Sequence, residues 1–225
     1  MIYHETEHGI AVLADCMDYM ATMADKSVDL CLTDPPYGIG ADAGFGVVRG
    51  FGGIGTPIAS RCYDDVWDCQ RPNKSVFDAI INKSKLCLVF GGNYFADILP
   101  SSTHWLVWDK LNTMPTFSDC ELVWTNSKRK SVMKYVHEYN GLIGKEQKRV
   151  HPTQKPVALF SWCLNNYSKA GDTIFDPFAG SFTTAIACIR TGRKYICIEK
   201  EPKYFEIGVK RIETELAQTD IFRED

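Results

Sequence analysis

The sequence predicts an α/β fold in which helices cover both faces of a mostly parallel, seven-stranded sheet. Short apolar runs rich in β-branched and aromatic residues recur along the chain, and helical patterns lie between several of them. Such alternation is typical of parallel sheets. The 225 residues are 45% hydrophobic and 24% charged, which indicates one soluble globular domain, a single unit spanning residues 1–225.

The elements are predicted in order from these patterns. Strands are expected at residues 10–14, 28–33, 86–90, 105–108, 121–124, 173–175 and 195–198. Helices are expected at residues 75–83, 156–167, 183–191 and 202–216. Ligands bind such sheets at the carboxyl ends of the strands, so the residues that follow each apolar run are the candidates for function.

Several classes of protein are disfavoured by composition. The chain has no apolar run of about 18 residues, so no membrane association is expected, and it does not begin with a basic and then apolar signal. Its nine cysteines are scattered without a Cys-x-x-Cys pair, which argues against a disulfide framework and a zinc site. We expect a cytoplasmic enzyme without a metal.

The first candidate site follows the predicted strand at residues 28–33 and reads Asp34-Pro35-Pro36-Tyr37. Two prolines fix the backbone and remove two N–H donors. The Asp34 carboxylate and the Pro35 carbonyl could then each accept one N–H of an exocyclic amino group on a base. Tyr37 could stack on the face of that base. The alternative is a turn that simply ends the strand.

The second candidate site lies near the end of the chain, where Asp176-Pro-Phe-Ala-Gly-Ser leads from a strand into a helix. Gly180 permits close approach of a ligand, Ser181 or Thr183 can cap the helix, and the helix N-terminus offers N–H groups to a carboxylate. Glu199, 23 residues beyond Asp176, is placed to accept ribose hydroxyls. Other predicted cofactor-site members here are Pro177, Phe178, Ala179 and Lys200. An ordinary strand–turn–helix is the alternative.

A third segment, His151-Pro-Thr-Gln-Lys-Pro, precedes the predicted helix at residues 156–167. Thr153 and Lys155 could offer a hydroxyl and an ammonium to a carboxylate. A simple N-terminal helix cap is the alternative interpretation.

Together these motifs resemble the β-class of DNA amino methyltransferases. Residues 34–37 resemble the catalytic motif of that family, and the segment from Asp176 resembles its cofactor motif. Residues 151–156 match the segment that lines its methionine pocket, with His151, Thr153 and Lys155 as candidate contacts. The resemblance covers roughly residues 10–212 and places the catalytic motif before the cofactor motif. It implies a Rossmann-like methyltransferase fold with circularly permuted motif order and S-adenosylmethionine as cofactor. A homodimer is a further expectation, because dimers are frequent in this family.

The permuted order brings further residues to the cofactor. If the C-terminus is joined to the N-terminus, consecutive strands end at Asp176, Glu199, Asp15 and Asp34. Asp15, with Cys16 beside it, would then meet the cofactor adenine. A carboxylate after a strand is also a common helix cap, so that alternative stays open.

One position departs from the family motif. Phe182 stands where the family commonly has a second glycine. If the backbone there needs a positive φ, a phenylalanine is strained, and cofactor affinity could be weakened; the sequence does not decide this.

Two segments are candidates for contact with DNA. Residues 38–55 contain eight glycines, which predicts a mobile loop at residues 38–60 that could close over a substrate. Residues 126–155 contain eight Lys or Arg and two Glu, a local charge of +6, and a short recognition region is predicted at residues 125–150. The predicted DNA-binding residues are Arg49, Lys128, Arg129, Lys130, Lys148 and Arg149.

The sequence thus predicts methyl transfer from S-adenosylmethionine to N6 of adenine in DNA. Asp34 favours adenine, because the cytosine-N4 enzymes of the family usually begin the motif with Ser; cytosine N4 remains the nearest alternative. A second alternative is a DNA-binding regulator that has lost catalysis, which Phe182 alone supports. RNA or protein-glutamine methyltransferases are disfavoured, since they usually begin the motif with Asn and place it after the cofactor segment.

Overall fold

The protein is described by a computed structural model over residues 1–38, 71–111, 118–137 and 154–221, with side chains up to residue 218. The strands in these residues are β1 Ile2–Thr6, β2 Gly9–Leu13, β3 Val28–Thr33, β4 Ser84–Phe90, β5 Trp105–Asp109, β6 Cys120–Thr125, β7 Met133–Val136, β8 Thr173–Asp176 and β9 Lys194–Glu199. They form one sheet in the order β1-β2-β9-β8-β3-β4-β6-β5-β7.

The described sheet has nine strands, so the predicted number of seven is wrong. The two strands that the sequence did not reveal are the edges, β1 and β7. Both are short and lack a run of buried residues, because an edge strand can expose much of its surface to water. β2, β9, β8, β3 and β4 pair in parallel, which confirms a mostly parallel sheet. β6 runs antiparallel to both β4 and β5.

Helices cover both faces of this sheet, as predicted. The helices are α1 Cys16–Thr22, α2 Lys74–Lys83, α3 Val157–Tyr167, α4 Thr183–Thr191 and α5 Pro202–Ile221. Side chains of α1 and α2 pack in one core cluster with Cys87 and Val89 of β4. Side chains of α3, α4 and α5 pack in the other with Leu88 and Phe90. The alternation along β4 reflects the two-residue period of a strand with both faces buried.

The strand order brings the two ends of the chain together. β8 and β9, from the C-terminal part, lie between β2 and β3, from the N-terminal part. The catalytic candidate after β3 is therefore beside the cofactor candidate after β8. Circular permutation as the origin of this order stays a prediction, as does the single-domain organisation.

Across the described residues, no helix is both long and apolar enough to cross a membrane.

Candidate active site

A cavity of about 490 Å³ lies at the carboxyl ends of β2, β9, β8 and β3. It is lined by predicted site residues from all three motifs and from the end of β2. These lining residues are Asp15, Cys16, Asp34, Pro36, Lys155, Asp176, Pro177, Phe178, Ala179, Gly180, Ser181, Thr183, Glu199 and Lys200. His151 and Thr153 lie outside the described residues.

Asp34 stands at the end of β3, where the two prolines prevent a helix from following directly. Its Oδ1 accepts a hydrogen bond from the Tyr37 hydroxyl at 2.6 Å. Its Oδ2 accepts one from Lys155 Nζ at 2.7 Å. Burial raises the pKa of the Asp34 carboxyl, and the positive charge of Lys155 only partly offsets that rise. Asp34 is thus an unusually basic carboxylate on the cavity wall.

Tyr37 is held from two sides and does not line the cavity in this structure. Its ring stacks on Tyr94, with centroids 4.7 Å apart and 17° between the planes. Gly91 leaves room for it, since a Cβ at that position would lie 2.2 Å from Tyr37 Cε1. Burial and the nearby Asp34 raise the pKa of the phenol well above its usual value, so Tyr37 is a neutral donor. Stacking on a base stays a prediction, and so does the role of the buried Pro35.

Asp176, at the end of β8, braces the loop that follows it. Its carboxylate accepts hydrogen bonds from Thr33 Oγ1 at 2.8 Å, from the Phe178 backbone N–H at 3.1 Å, and from Thr184 Oγ1. Burial raises its pKa to about 6. Because β3, the loop and α4 all bind this one carboxylate, Asp176 fixes their mutual positions.

Glu199 ends β9 and closes the next part of the cavity. Its Oε2 accepts from the Gly180 N–H and its Oε1 from the Glu201 N–H, both at 2.8 Å. Burial raises the pKa of this carboxyl to about 7. Each oxygen retains a second acceptor position, so the side chain can bind ligand hydroxyls without losing its backbone contacts.

Asp15 combines the two roles that the sequence left open. Its Oδ1 accepts from the Met17 N–H at 2.7 Å and so caps α1, while the residue also lines the cavity. Burial and the adjacent Asp15 raise the pKa of Cys16 to about 11, so Cys16 presents a neutral thiol. Lys200 is 62% exposed and lies 4.0 Å from Glu201, at the cavity mouth.

The sequence model of the N6/N4 methyltransferase family, described as DNA methylase, matches residues 60–210. The chain belongs to this DNA methylase family. The Type II methyltransferase M2.DpnII of Streptococcus pneumoniae is 28% identical over 95% of this chain and 92% of its own length. M.HinfI of Haemophilus influenzae, also a Type II methyltransferase, is 26% identical over 88% of this chain. The chain spans 66% of M.HinfI, just under two thirds.

Two solved methyltransferases share the fold of this methylase. The complex of M1.HpyAVI with S-adenosylmethionine has a TM-score of 0.59 and 22% identity, covering 90% of this chain and 98% of that one. The PvuII DNA methyltransferase, described as cytosine-N4-specific, has a TM-score of 0.63 and 16% identity, covering 97% and 92%. The predicted methyltransferase fold is thereby confirmed.

Phe182 of this methylase has the backbone conformation that makes its departure from the family motif costly. Its φ is +61°, in the left-handed region, which is the conformation in which a phenylalanine is strained. Its ring, however, is fully buried against α5, edge-on to Phe205 with centroids 5.8 Å apart. Gly208 provides the space, since a Cβ there would lie 2.3 Å from Phe182 Cδ2. The ring therefore points away from the cavity, and Phe182 is not among the residues that line it.

The capping of α4 differs from the prediction. Its N-cap is Phe182, without a side-chain hydrogen bond, so neither Ser181 nor Thr183 caps the helix. Arg211 of α5 instead binds Ser181, donating from Nη1 to the hydroxyl at 2.9 Å and also to the backbone carbonyl. Within the described residues no side chain caps these first N–H groups of α4, which leaves them available to a ligand.

The structure does not bring Lys128, Arg129 and Lys130 to the cavity. They follow β6, which is antiparallel to β4, so they lie at the edge of the sheet opposite Asp34. All three are exposed, and the Arg129 guanidinium lies 5.2 Å from the centre of the Tyr167 ring. The other predicted DNA-binding residues, Arg49, Lys148 and Arg149, lie outside the described residues, as do residues 39–60 of the glycine-rich loop and residues 138–150 of the recognition region.

The structure adds residues to the site that the sequence did not indicate. Glu121, at the start of β6, lies 3.5 Å from Lys155 Nζ and 3.5 Å from Lys110 Nζ. Arg71 and Asn73 line the cavity beside α2, and Tyr204 lines it from α5. Glu121 begins an apolar run instead of following one, so the sequence did not mark it as a site residue. It lies beside Asp34 because β6 runs antiparallel to β4.

Proposed function

We propose that this protein transfers a methyl group from S-adenosylmethionine to N6 of adenine in DNA. The observation that supports this most is that Asp34, the first residue of the Asp-Pro-Pro-Tyr motif, lines the same cavity as Gly180 and Glu199. A group that accepts amino hydrogens thus stands beside groups suited to a nucleoside cofactor. Membership of the DNA methylase family supports DNA as the substrate.

The cavity fits the cofactor in size and in chemistry. Its volume, about 490 Å³, is within the range of roughly 300–1,000 Å³ found for small-molecule and cofactor sites. Glu199 would accept ribose hydroxyls, and the free N–H groups at the start of α4 would hold the methionine carboxylate. Asp15 would approach the adenine. When bound, the cofactor supplies a methyl group on a positively charged sulfur.

Asp34 would prepare the target nitrogen for its reaction with that methyl group. When a carboxylate accepts hydrogen bonds from an amino group, the N–H bonds are oriented and the lone pair is drawn out of conjugation with the ring, toward an electrophile. As the new N–C bond forms and the C–S bond breaks, the nitrogen must lose one proton. Asp34 is a suitable acceptor, since burial raises the pKa of its carboxyl. Tyr37 fixes the orientation of that carboxylate through its hydroxyl.

Adenine is the proposed base because the motif begins with Asp34 rather than Ser. Cytosine N4 is the alternative, since its amino group also stands beside a ring nitrogen and offers the same two N–H bonds. An active enzyme is favoured over the inactive-regulator alternative because the Phe182 ring packs against α5 and does not line the cavity.

In duplex DNA the base would have to leave the stack, at a cost of about a few kcal/mol. Contact with DNA by Arg49, Lys148 and Arg149 stays a proposal. Lys128, Arg129 and Lys130 would reach a duplex only if it extended to the edge opposite Asp34. Formation of a homodimer and residence in the cytoplasm also stay predictions.

The proposal is tested with tritiated S-adenosylmethionine and unmethylated, PCR-amplified DNA of varied sequence. The wild type should transfer tritium to DNA, and Asp34→Asn should lower the rate by at least about 100-fold, in the range for loss of an acid–base group. Calorimetry should show that Asp34→Asn still binds S-adenosylmethionine. Transfer by Asp34→Asn at the wild-type rate, or no transfer by a wild type that binds the cofactor, would overturn the proposal.

A further inference from the structure

The Lys155 ammonium lies between two carboxylates that come from different parts of the chain. It donates to Asp34 Oδ2 at 2.7 Å and lies 3.5 Å from Glu121 Oε1. The exposed fractions of the three side chains are 9% for Lys155, 18% for Asp34 and 15% for Glu121. In so buried a setting, a charge that loses its partner is strongly disfavoured.

Lys155 takes one of the two acceptor positions of Asp34 Oδ2, directly beside the position that the amino group of the target base would use. Asp34 Oδ1 already accepts from Tyr37, and Oδ2 accepts from Lys155. An amino group that approaches Oδ2 lies next to the ammonium. The hydrogens of both groups carry positive charge, so they repel each other. The close Lys155 contact also neutralises the carboxylate that must accept the proton. Lys155 therefore has to loosen its hold on Asp34 before the base can react.

Glu121 offers a place for Lys155 to go. Its Oε2 is buried and, within the part of the chain that the structure describes, accepts no hydrogen bond. Its Oε1 is 3.5 Å from Lys155 and also 3.5 Å from Lys110, so both contacts are long for a hydrogen bond. A buried carboxylate oxygen without a donor is costly, and a small movement of Lys155 would satisfy it.

We propose that Glu121 is a positioning residue that receives the Lys155 ammonium when the amino group of the target base takes its place on Asp34. This inference rests on the proposed function. Without the target base, Lys155 pairs with Asp34. With the base in place, Lys155 pairs with Glu121 and the amino group pairs with Asp34, so no buried charge is unpaired in either state.

The electrostatics of the site agree with this arrangement. After burial and the opposing charge of Lys155, Glu121 is the next contributor to the pKa of Asp34, and it raises that pKa. Burial lowers the pKa of Lys155, but Asp34 and Glu121 together outweigh it and the pKa is raised. Of the described residues, the titratable groups that act on Asp34 are Lys155 of the segment before α3, Glu121 of β6, Tyr37 of its own loop and Asp176 of β8.

The first test uses the protein without cofactor or DNA. Glu121→Gln keeps the shape of the side chain and removes its charge, so the Asp34 carboxyl should titrate at a lower pH than in the wild type, as followed by carbon-13 NMR. Asp119→Asn is the matched control, because it removes a charge two residues away at an exposed position. An Asp34 titration that Glu121→Gln leaves in place, or that Asp119→Asn moves equally, would overturn the inference.

The second test measures turnover. With Glu121→Gln, Lys155 keeps only Asp34 as an anionic partner and resists the base, so kcat should fall by about 10- to 100-fold, the range for one hydrogen bond between charged groups. The acid limb of the pH–rate profile should move to lower pH. The dissociation constant for S-adenosylmethionine should stay within about threefold, because Glu121 does not line the cavity. Asp119→Asn should behave as the wild type.

The outcomes separate this inference from the function on which it rests. If the wild type methylates DNA and Glu121→Gln does so equally fast with the same acid limb, only the inference fails. A parallel loss of cofactor binding and rate would make Glu121 a merely structural residue and also overturn it. If a folded wild type that binds S-adenosylmethionine methylates no DNA, the proposed function fails and the inference fails with it.

Discussion

Replacing Phe182 with the glycine of the family motif should destabilise this protein, although the glycine would relieve backbone strain. The left-handed conformation of a non-glycine residue costs roughly 1–2 kcal/mol, and Phe182 has a φ of +61°. Removal of a fully buried phenylalanine ring costs about 3–5 kcal/mol, and the Phe182 ring is 0% exposed. The free energy of unfolding of Phe182→Gly should therefore fall by about 1–4 kcal/mol.

A double-mutant cycle with Gly208 sharpens this test. Gly208→Ala places a Cβ 2.3 Å from Phe182 Cδ2, so in the wild type it should destabilise by about 1–3 kcal/mol. In the Phe182→Gly background the clash is gone, and alanine in the interior of α5 should instead stabilise by about 0.5–1 kcal/mol. The sign of the Gly208→Ala effect should thus reverse.

Urea unfolding followed by circular dichroism measures all four proteins, with the slope m confirming that they unfold alike. Calorimetry with S-adenosylmethionine should give Phe182→Gly nearly the wild-type affinity, since the ring does not line the cavity. A Phe182→Gly protein as stable as the wild type, or an equal Gly208→Ala effect in both backgrounds, would refute the reasoning.

Three further predictions follow from the site. Burial raises the pKa of Glu199 to about 7, and ribose hydroxyls would favour its ionised form. The affinity for S-adenosylmethionine should therefore weaken below pH 7, by up to about tenfold per pH unit. Calorimetric dissociation constants that stay level from about pH 5.5 to 8.5 would contradict this. Burial also raises the pKa of Asp176 from 3.8 to about 6, so the folded state binds this proton more tightly than the unfolded state does. Its contribution to stability is present below pH 4 and is lost as the pH rises through 6. Relative to Asp176→Asn, the wild type should lose about 2 kcal/mol of unfolding free energy between pH 4 and 7. A constant difference between the two proteins in urea unfolding would exclude this. Gly91→Ala should displace the Tyr37 ring, because the new Cβ would lie 2.2 Å from Tyr37 Cε1. Methyl transfer should then slow while cofactor binding persists. Unchanged kinetics would show that the position of Tyr37 is unimportant.

The parts of the site that follow parallel strands could be predicted from the sequence. Asp34, Asp176 and Glu199 each come directly after an apolar run, and the carboxyl ends of parallel strands meet at one edge. The structure places all three on one cavity. Asp15 follows the same logic, although the pattern could not show that it would cap α1 as well.

The direction of β6 could not be predicted, and it accounts for two differences between the predicted and the observed site. An apolar run carries no sign of which way its strand points. Because β6 is antiparallel to β4, its first residues, including Glu121, lie at the catalytic edge. For the same reason Lys128 and its neighbours, which follow its last residue, lie at the far edge.

The consequences of Phe182 also needed the structure. The motif showed that a positive φ would be costly at this position, and the φ is positive. Only packing against α5 shows that Gly208, 26 residues further along the chain, makes room for the ring. Contacts between residues so far apart leave no local signal in a single sequence.

The central claim, methylation of an exocyclic amino group of adenine, is tested most directly by nucleoside mass spectrometry. Unmethylated, PCR-amplified DNA is incubated with the protein and S-adenosylmethionine, then digested to nucleosides. We predict N6-methyladenine in the wild-type reaction and none with Asp34→Asn. N4-methylcytosine would preserve the chemistry at Asp34 and contradict the choice of base, and 5-methylcytosine or no methylated nucleoside would contradict the account itself.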